Sequence, residues 1–178
     1  MRIWNRKVRR HIDEPDEVYR RRLKTYLRYD LETGYWWRLR DTAHHFKDTR
    51  ADRRGHDGYY FVSFQGKTFR SHVLAHFYVT GLWPEKLIDH KDGLHWNTRW
   101  KNLRPANYAQ NYANSKLRKD NKSGLKGVHW NKEKGCWTSQ IMVEGTAATL
   151  MHSTCPAAAH FAYLIAADKQ YGEFVRAR

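Results

Sequence analysis

The apolar residues of this chain come in short runs, each closed by glycine, proline or a cluster of charges. Pro15, followed by Asp16 and Glu17 and later by Arg20, Arg21, Arg22, Lys24 and Arg28, has the charge order of a helix, with Val18, Leu23 and Leu27 expected on its inner face. Glu32-Thr33-Gly34 reads as a turn before the apolar segment 35–39. Segments 59–64 and 67–71, separated by Gln65-Gly66, carry a hairpin signal, because β-forming residues flank a two-residue connection. Val73, Leu74, Phe77 and Tyr78 then have helical spacing, stopped by Gly81 and Pro84.

Between 87 and 114 the pattern becomes polar and specific. Leu87 and Ile88 begin a short strand that ends on a carboxylate and an imidazole, Asp89 and His90, and Lys91-Asp92-Gly93 turns the chain at once. A loop holding Asn97 leads to Asn102-Leu103-Arg104, a second short strand expected to stop at Pro105. Asn107, with Gln110 three residues on, has the logic of a capping box. The helix it opens places Asn107, Asn111 and Asn114 on one face.

Residues 115–126 carry Lys116, Arg118, Lys119, Lys122 and Lys126 among Asn, Ser and Gly, the composition of a basic linker. Three β-like runs follow, 127–131, 136–143 and 146–151, divided by Lys134-Gly135 and Glu144-Gly145. Pro156 then opens an Ala-rich helix over 157–171, with Ala158, Phe161, Ala162, Ile165 and Ala166 assigned to its apolar side. The class read from these elements is α+β. Its expected parts are a basic helix and β-hairpin region (1–84), a strand-loop-strand-helix core (85–118), a linker (119–125), and a three-stranded antiparallel sheet packed on one helix (126–178).

Charge and composition narrow the function classes. The 178 residues carry 33 Lys and Arg against 18 Asp and Glu, a net charge of +15, which points to a polyanionic partner. At roughly 100–200 residues per domain, the length allows one medium domain or two to three small ones and excludes a single large enzyme core. Eight Trp, eleven Tyr and seven Phe argue for small aromatic-rich cores rather than a disordered basic tail. Trp36, Trp37 and Trp137 are assigned to packing, Trp96 and Trp100 to the neighbourhood of the polar loop. No apolar run approaches the ~20 residues that span a bilayer, so the expectation is an intracellular chain without a membrane partner. Cys136 and Cys155 are too few for a disulfide framework or a cysteine-based zinc knuckle and are expected to be reduced.

Hydrolysis of a phosphodiester needs a base to activate water and a cation to neutralise the pentacoordinate phosphate. Histidine supplies the base near neutral pH. A hard cation such as Mg²⁺ takes oxygen ligands, keeps several waters and needs only one or two protein side chains, a need that the Asp89 carboxylate and the Asn111 carbonyl meet. Neighbours on a regular strand point to opposite sides, so Asp89 and His90 converge only where the strand ends or bends. Asn102 suits a strut that holds the imidazole or its loop. Of the eleven histidines, His72, His76, His95, His152 and His160 read as surface or satisfied core residues, with His72 expected to pack or hydrogen-bond under the motif, and Asn97 reads as a turn residue.

Taken together, Asp89-His90-Lys91-Asp92-Gly93, Asn97, Asn102-Leu103-Arg104 and Asn111 resemble the HNH nuclease motif of the ββα-metal type, in its variant with asparagine as third member. The upstream Ser71-His72-Val73-Leu74-Ala75-His76 with Thr80-Gly81 is similar to the segment that precedes this motif in phage homing endonucleases. The resemblance implies His90 as general base, Asp89 and Asn111 as ligands of one divalent metal (Mg²⁺, with Mn²⁺ as a substitute), and Asn102 as the structural middle member. Lys126-Gly127-Val128, Trp137 with Ile141, and a terminal helix leading to Tyr171-Gly172-Glu173-Phe174 resemble the APETALA/ERF-type DNA-binding domain, in which a three-stranded sheet lies in the major groove. By alternation, Val128, Trp137, Ser139 and Ile141 face the helix, while His129, Asn131, Thr138, Gln140 and Met142 face outward. Met151-His152-Ser153 departs from the Leu-Gly pair usual at the end of the third strand, so base preference is not carried over.

The resulting expectation is a metal-dependent, strand-nicking, site-preferring endonuclease of double-stranded DNA, a monomer or weak dimer, working in the host cytoplasm if phage-encoded. Arg99, Lys101, Arg104, Lys116, Arg118, Lys119, Lys122, Lys126, His129, Asn131, Lys132 and Gln140 are expected against DNA. A non-catalytic DNA-binding protein with a relic motif is the alternative, and an RNA binder is a third reading. All three share salt-sensitive binding and differ in cleavage or in the polymer preferred.

Overall fold

In the computed structural model, which describes residues 14–143 and 145–176, the chain divides into two units, Met1–Ala106 and Asn107–Arg178. The basic stretch 1–10 lies outside the described residues.

In the first unit, helix α1 (Asp16–Tyr26) buries Tyr19 and Leu23, while Val18 is exposed. Tyr19 takes the inward position expected of Val18 because its ring fills a cluster with Phe64, Phe69, Phe77 and Trp83. The helix stops at Tyr26, earlier than its charge pattern implies, because Leu27–Tyr29 (β1) pairs antiparallel with Trp36–Arg38 (β2). A strand inside the charged stretch, Asp52–Arg54 (β3), escapes the hydrophobic pattern. It pairs with Tyr60–Phe64 (β4), which pairs with Lys67–Arg70 (β5). Asp52 is buried there because Arg50 grips its carboxylate with two hydrogen bonds and the Trp36 N–H donates to it. The β4–β5 turn places Gln65 and Gly66 at φ of 48° and 71°, the left-handed pair a two-residue hairpin uses.

Helix α2 (Ser71–Thr80) ends on left-handed Gly81, and its Val73, Leu74, Ala75 and Phe77 close over Trp36, Val62, Phe69 and Trp83. Arg20 of α1 donates to the Tyr78 and Val79 carbonyls at the end of α2, so this cation serves a helix terminus. Strands Leu87–His90 (β6) and Leu103–Ala106 (β7) form a separate two-stranded sheet, with Ile88 and Leu103 in the same core. The second strand runs through Pro105 instead of stopping there. With one partner strand among the described residues, β7 has a side on which a missing N–H is tolerated.

In the second unit, helix α3 (Tyr108–Asn114) begins with the expected capping box: Asn107 Oδ1 accepts from the Gln110 N–H, and Gln110 Oε1 accepts from the Asn107 N–H, both at 2.8 Å. Strands Val128–Asn131 (β8), Cys136–Val143 (β9) and Thr146–Ser153 (β10) form an antiparallel sheet in the order β10-β9-β8, covered by helix α4 (Pro156–Tyr171). The buried stripe of α4 is Ala159, Tyr163 and Ala167, one residue every fourth position. Phe161 and Ile165, assigned above to the apolar side, are exposed. Alanine lets the helix approach the sheet closely, and Tyr163 covers Gly127, where a Cβ would stand 2.1 Å from the ring. Thr138 is buried although it alternates with Ser139, because His152 lies over it with Nδ1 2.9 Å from its hydroxyl.

The unit boundary falls inside the stretch 85–118: β6 pairs with β7 in the first unit, whereas α3 packs on α4 and the terminal 3₁₀ turn Gly172–Phe174. Cys136 and Cys155 are free thiols. Among the described residues, no helix is long and apolar enough to cross a membrane.

Candidate active site

Asp89 and His90 occupy the last two positions of β6, opposite Arg104 and Leu103 of β7. The turn that follows is tied down at several points. Gly93 N–H donates to the His90 carbonyl at 2.7 Å, and Lys91 N–H to the Asn102 carbonyl at 2.8 Å. The Asn102 side chain works in both directions: its Oδ1 accepts from the Asp92 N–H at 3.1 Å, and its Nδ2 donates to Asp92 Oδ1 at 3.0 Å and to the Asn97 carbonyl at 2.8 Å. Asn97 Nδ2 donates to the other oxygen of Asp92. Burial alone would raise the Asp92 pKa, but the Leu94 N–H and the amides of Asn97 and Asn102 outweigh it and hold the carboxyl below its usual range.

Asn102 therefore fastens the loop that starts at His90, with Asn97 as a second clasp. From the N-terminal side, Thr98 donates to the Gly34 carbonyl and Trp100 N–H to the Leu31 carbonyl. Gly34 sits at φ +75°, and a Cβ there would be 2.4 Å from the Thr98 carbonyl carbon. The Glu32-Thr33-Gly34 turn is thus a buttress for the motif loop.

The His90 ring, 3% exposed, lies among three other rings. His72 meets it edge-on at 4.8 Å, Tyr59 at 5.9 Å and His95 at 6.0 Å between centroids. Burial is the largest influence on its pKa and His95 the next. Arg70 adds to both, and Asp92 opposes them; the result is a pKa near 4 and an imidazole neutral at pH 7. His72 is fully buried, its pKa pushed well down by burial and then by His90, and its Nδ1 meets no hydrogen-bond partner among the described residues. His72 thus packs against His90 as its place just upstream of the motif led us to expect, while Tyr59 and His95 join the cluster unannounced. Tyr59 arrives from a separate segment, and the trace of His95 in the sequence is its position inside the motif loop.

Asp89 is 5% exposed, and its Oδ2 accepts from Arg104 Nε at 3.0 Å across the two strands. Arg104, expected against DNA, is buried in this pair instead, because the antiparallel register sets it directly opposite the carboxylate. Among the described residues, no three His, Cys, Asp or Glu side chains gather as a metal-binding group. A hard cation asks less, and an ionised carboxylate offers about four lone-pair positions, so Asp89 can take an arginine and a cation together. Asn111 is half-buried on α3, in the second unit.

The remaining cations and polar residues divide by what already engages them. Arg99 is exposed with Nε on the Glu32 carbonyl, and Lys101 lies 3.8 Å from the Glu32 carboxylate. Lys116, Lys119, Lys122, Lys132 and His129 are exposed, and Arg118 is exposed but paired with Asp120. Lys126 departs from the expected phosphate role. It is buried, its Nζ donates to the Ala113 and Ser115 carbonyls at 2.6 and 2.7 Å at the end of α3, and burial followed by Arg176 lowers its pKa to about 8. Asn131 caps the β8–β9 turn through the Lys134 N–H, and Gln140 reaches Thr149. On the same outer side of the sheet, Lys134 Nζ lies 2.8 Å from His152 Nε2.

Over 58 residues the chain is 45% identical to Protein 3.8 of Escherichia phage T7, a stretch that covers 33% of this chain and 48% of that protein. The chain thus spans about half the length of the curated relative it matches, whose name states no activity. No family model matches the chain, and no solved structure matches it.

Proposed function

We propose that the protein is a metal-dependent endonuclease that nicks double-stranded DNA, with His90 as general base and Asn102 as the residue that positions it. The observation that supports this reading is a neutral imidazole at a strand end, followed by a loop that Asn102, Asp92 and Asn97 tie together. A base is effective when it is unprotonated at working pH and fixed in direction. In the reaction, His90 takes a proton from water, the water oxygen bonds to phosphorus, the bond to the 3′-oxygen breaks, and that oxygen takes a proton from solvent, leaving 5′-phosphate and 3′-hydroxyl ends. Asp89 would hold the divalent cation, Mg²⁺ or Mn²⁺; Asn111, the second oxygen donor that the resemblance to the HNH motif implies, belongs to the second unit. The cation's contribution is to neutralise charge on the phosphorane and the departing oxygen. One such centre cuts one strand.

The exposed Lys116, Lys119, Lys122 and Lys132, with His129 and Gln140, are proposed as duplex contacts. The likeness to the T7 protein supports a phage origin, and with it we propose the host cytoplasm as the site of action. Supercoiled plasmid with Mg²⁺ or Mn²⁺ tests the reading: nicking is expected, abolished by chelator and by His90→Ala, with duplex binding retained. Wild-type protein that binds duplex DNA and leaves it intact with both metals would overturn the nuclease and favour the non-catalytic DNA binder.

A further inference from the structure

We infer that the outer face of α3 and the basic segment after it form a binding site for single-stranded DNA, in which Tyr108 and Tyr112 stack on bases while Lys116, Lys119 and Lys122 meet phosphates. This rests on the DNA reading of those lysines and names the form of the strand they hold.

Two large rings face solvent on the second unit, one helical turn apart. Tyr108 is 59% exposed and Tyr112 54%, while α3 turns Ala113 and Asn114 inward. Residues four apart on a helix share a face, with Cβ atoms about 5–6 Å from each other, so the two rings belong to one platform. The buried Lys126 ammonium stands 5.8 Å from the Tyr112 centroid, fixed there by the Ala113 and Ser115 carbonyls. A single exposed aromatic is ordinary on a protein surface, but a pair on one short helix beside a run of cations is a composition suited to an unpaired nucleic-acid strand.

The cations come next in the chain. From Asn107 to Lys126 the sequence holds five cations and one acid, Asp120. Arg118 engages Asp120 through two hydrogen bonds, and Lys126 is buried under the end of α3. The other three, Lys116, Lys119 and Lys122, are exposed and follow one another at intervals of three residues. A polyanion that approaches this side of the unit meets tyrosine rings and ammonium groups, and its one carboxylate is already engaged by Arg118.

The combination favours the unpaired form. In a duplex each base is already stacked and paired, and only phosphates, sugars and base edges reach the surface, so cations serve it and an exposed ring gains little. In a single strand every base has a free π-face, and an aromatic ring stacked on it adds to affinity whatever the base, while lysines track the backbone. The proposed nicking supplies such a ligand, because a cut strand can separate from its complement at the new end.

The test follows the anisotropy of a labelled oligothymidylate of about 12 nucleotides, and of its duplex with oligodeoxyadenylate, on the full-length protein in chelator. Wild type is expected to bind the single strand saturably. Tyr108→Ala with Tyr112→Ala should weaken that binding at least tenfold and duplex binding less than threefold. Tyr108→Phe with Tyr112→Phe keeps the rings and should stay within twofold of wild type. Both positions are exposed, so the urea midpoint of each variant should match wild type. Absence of single-strand binding, wild-type affinity in the alanine variant, or an equal loss in the phenylalanine variant would each overturn the inference, the last by showing that the hydroxyls hold phosphate. Tighter binding of oligouridylate would overturn the assignment to DNA and make the ligand an RNA strand. If duplex binding and nicking stand while the single strand is ignored, this inference alone falls. Wild type that binds the single strand but neither binds nor nicks duplex would sink the nuclease and leave a single-strand site. If Lys119→Gln with Lys122→Gln changes affinity for neither form, the DNA reading of the segment falls with the inference.

Discussion

His90 and His72 are imidazoles that the first unit holds uncharged, and that has a cost at low pH. The His90 pKa is about 4 in the folded chain against 6.5 for the ordinary group, so between those values the unfolded chain binds more protons. Stability therefore rises with pH through that window: it is complete above about pH 6.5 and declines as pH falls towards 4. For His90 the loss approaches about 3 kcal/mol once the pH is below both values. His72 acts in the same direction, since burial also lowers its pKa. Asp92 shares the sign at more acid pH, because a carboxyl held low loses its advantage as it protonates. Urea midpoints measured from pH 7.5 to 4.5 should fall steadily in the wild type and less steeply in His90→Gln. Parallel slopes for the two proteins would show that His90 is not held neutral.

At the scale of elements, the strand-loop-strand arrangement depends on a side chain from the end of the loop folding back on its beginning. Asn102→Ala removes the acceptor for the Asp92 N–H and the donor to Asp92 and the Asn97 carbonyl. The expected loss is about 1–3 kcal/mol in denaturant unfolding, with nicking reduced at least tenfold and duplex binding preserved. Unchanged stability would mean that the loop stands without this clasp. Elements of this kind were legible wherever a local rule was strong enough. Gln65-Gly66 between β-formers, Gly81 after an apolar helical run, Asn107 with Gln110, and three short runs before Pro156 each correspond to an observed element. The failures have a common cause, in that tertiary partners decided the matter. Asp52–Arg54 looks like a charged loop and becomes a strand because β4 offers it an edge and Arg50 satisfies Asp52. In α4, alanines beat Phe161 and Ile165 for the buried face because close approach over Gly127 matters more than the size of the apolar group. Of the candidate site, the strand-end His90 and the loop residues Asn97 and Asn102 could be read from order and spacing. His72 could be placed under the motif from the segment that precedes it, but Tyr59 and Arg70 could not, since nothing local marks them as neighbours of residue 90.

For the molecule as a whole, net charge is a poor count of the cations that face a polyanion. Residues 107–178 contain 10 Lys and Arg against 5 Asp and Glu, yet these cations differ in what they can do. Lys126 closes the end of α3 with two hydrogen bonds and is buried, whereas Lys119 and Lys122 are exposed. Under the proposed DNA binding, each lysine that neutralises a phosphate releases counterions and contributes about 0.9 to the slope of log affinity against log salt. Lys119→Gln with Lys122→Gln should therefore lower that slope by about 2 and leave unfolding unchanged. Lys126→Met should do the reverse. Its slope stays at the wild-type value, while stability falls by about 1–3 kcal/mol, since the Ala113 and Ser115 carbonyls lose their donor. Fluorescence anisotropy on a duplex at several salt concentrations, paired with urea melts of the same proteins, separates the two effects. A reduced slope in Lys126→Met would mean that this lysine leaves α3 to meet phosphate, and a wild-type slope in the double variant would place the duplex on another surface. Under that proposal, position in the fold, more than sign of charge, separates the cations that would meet a nucleic acid from those that hold the protein together.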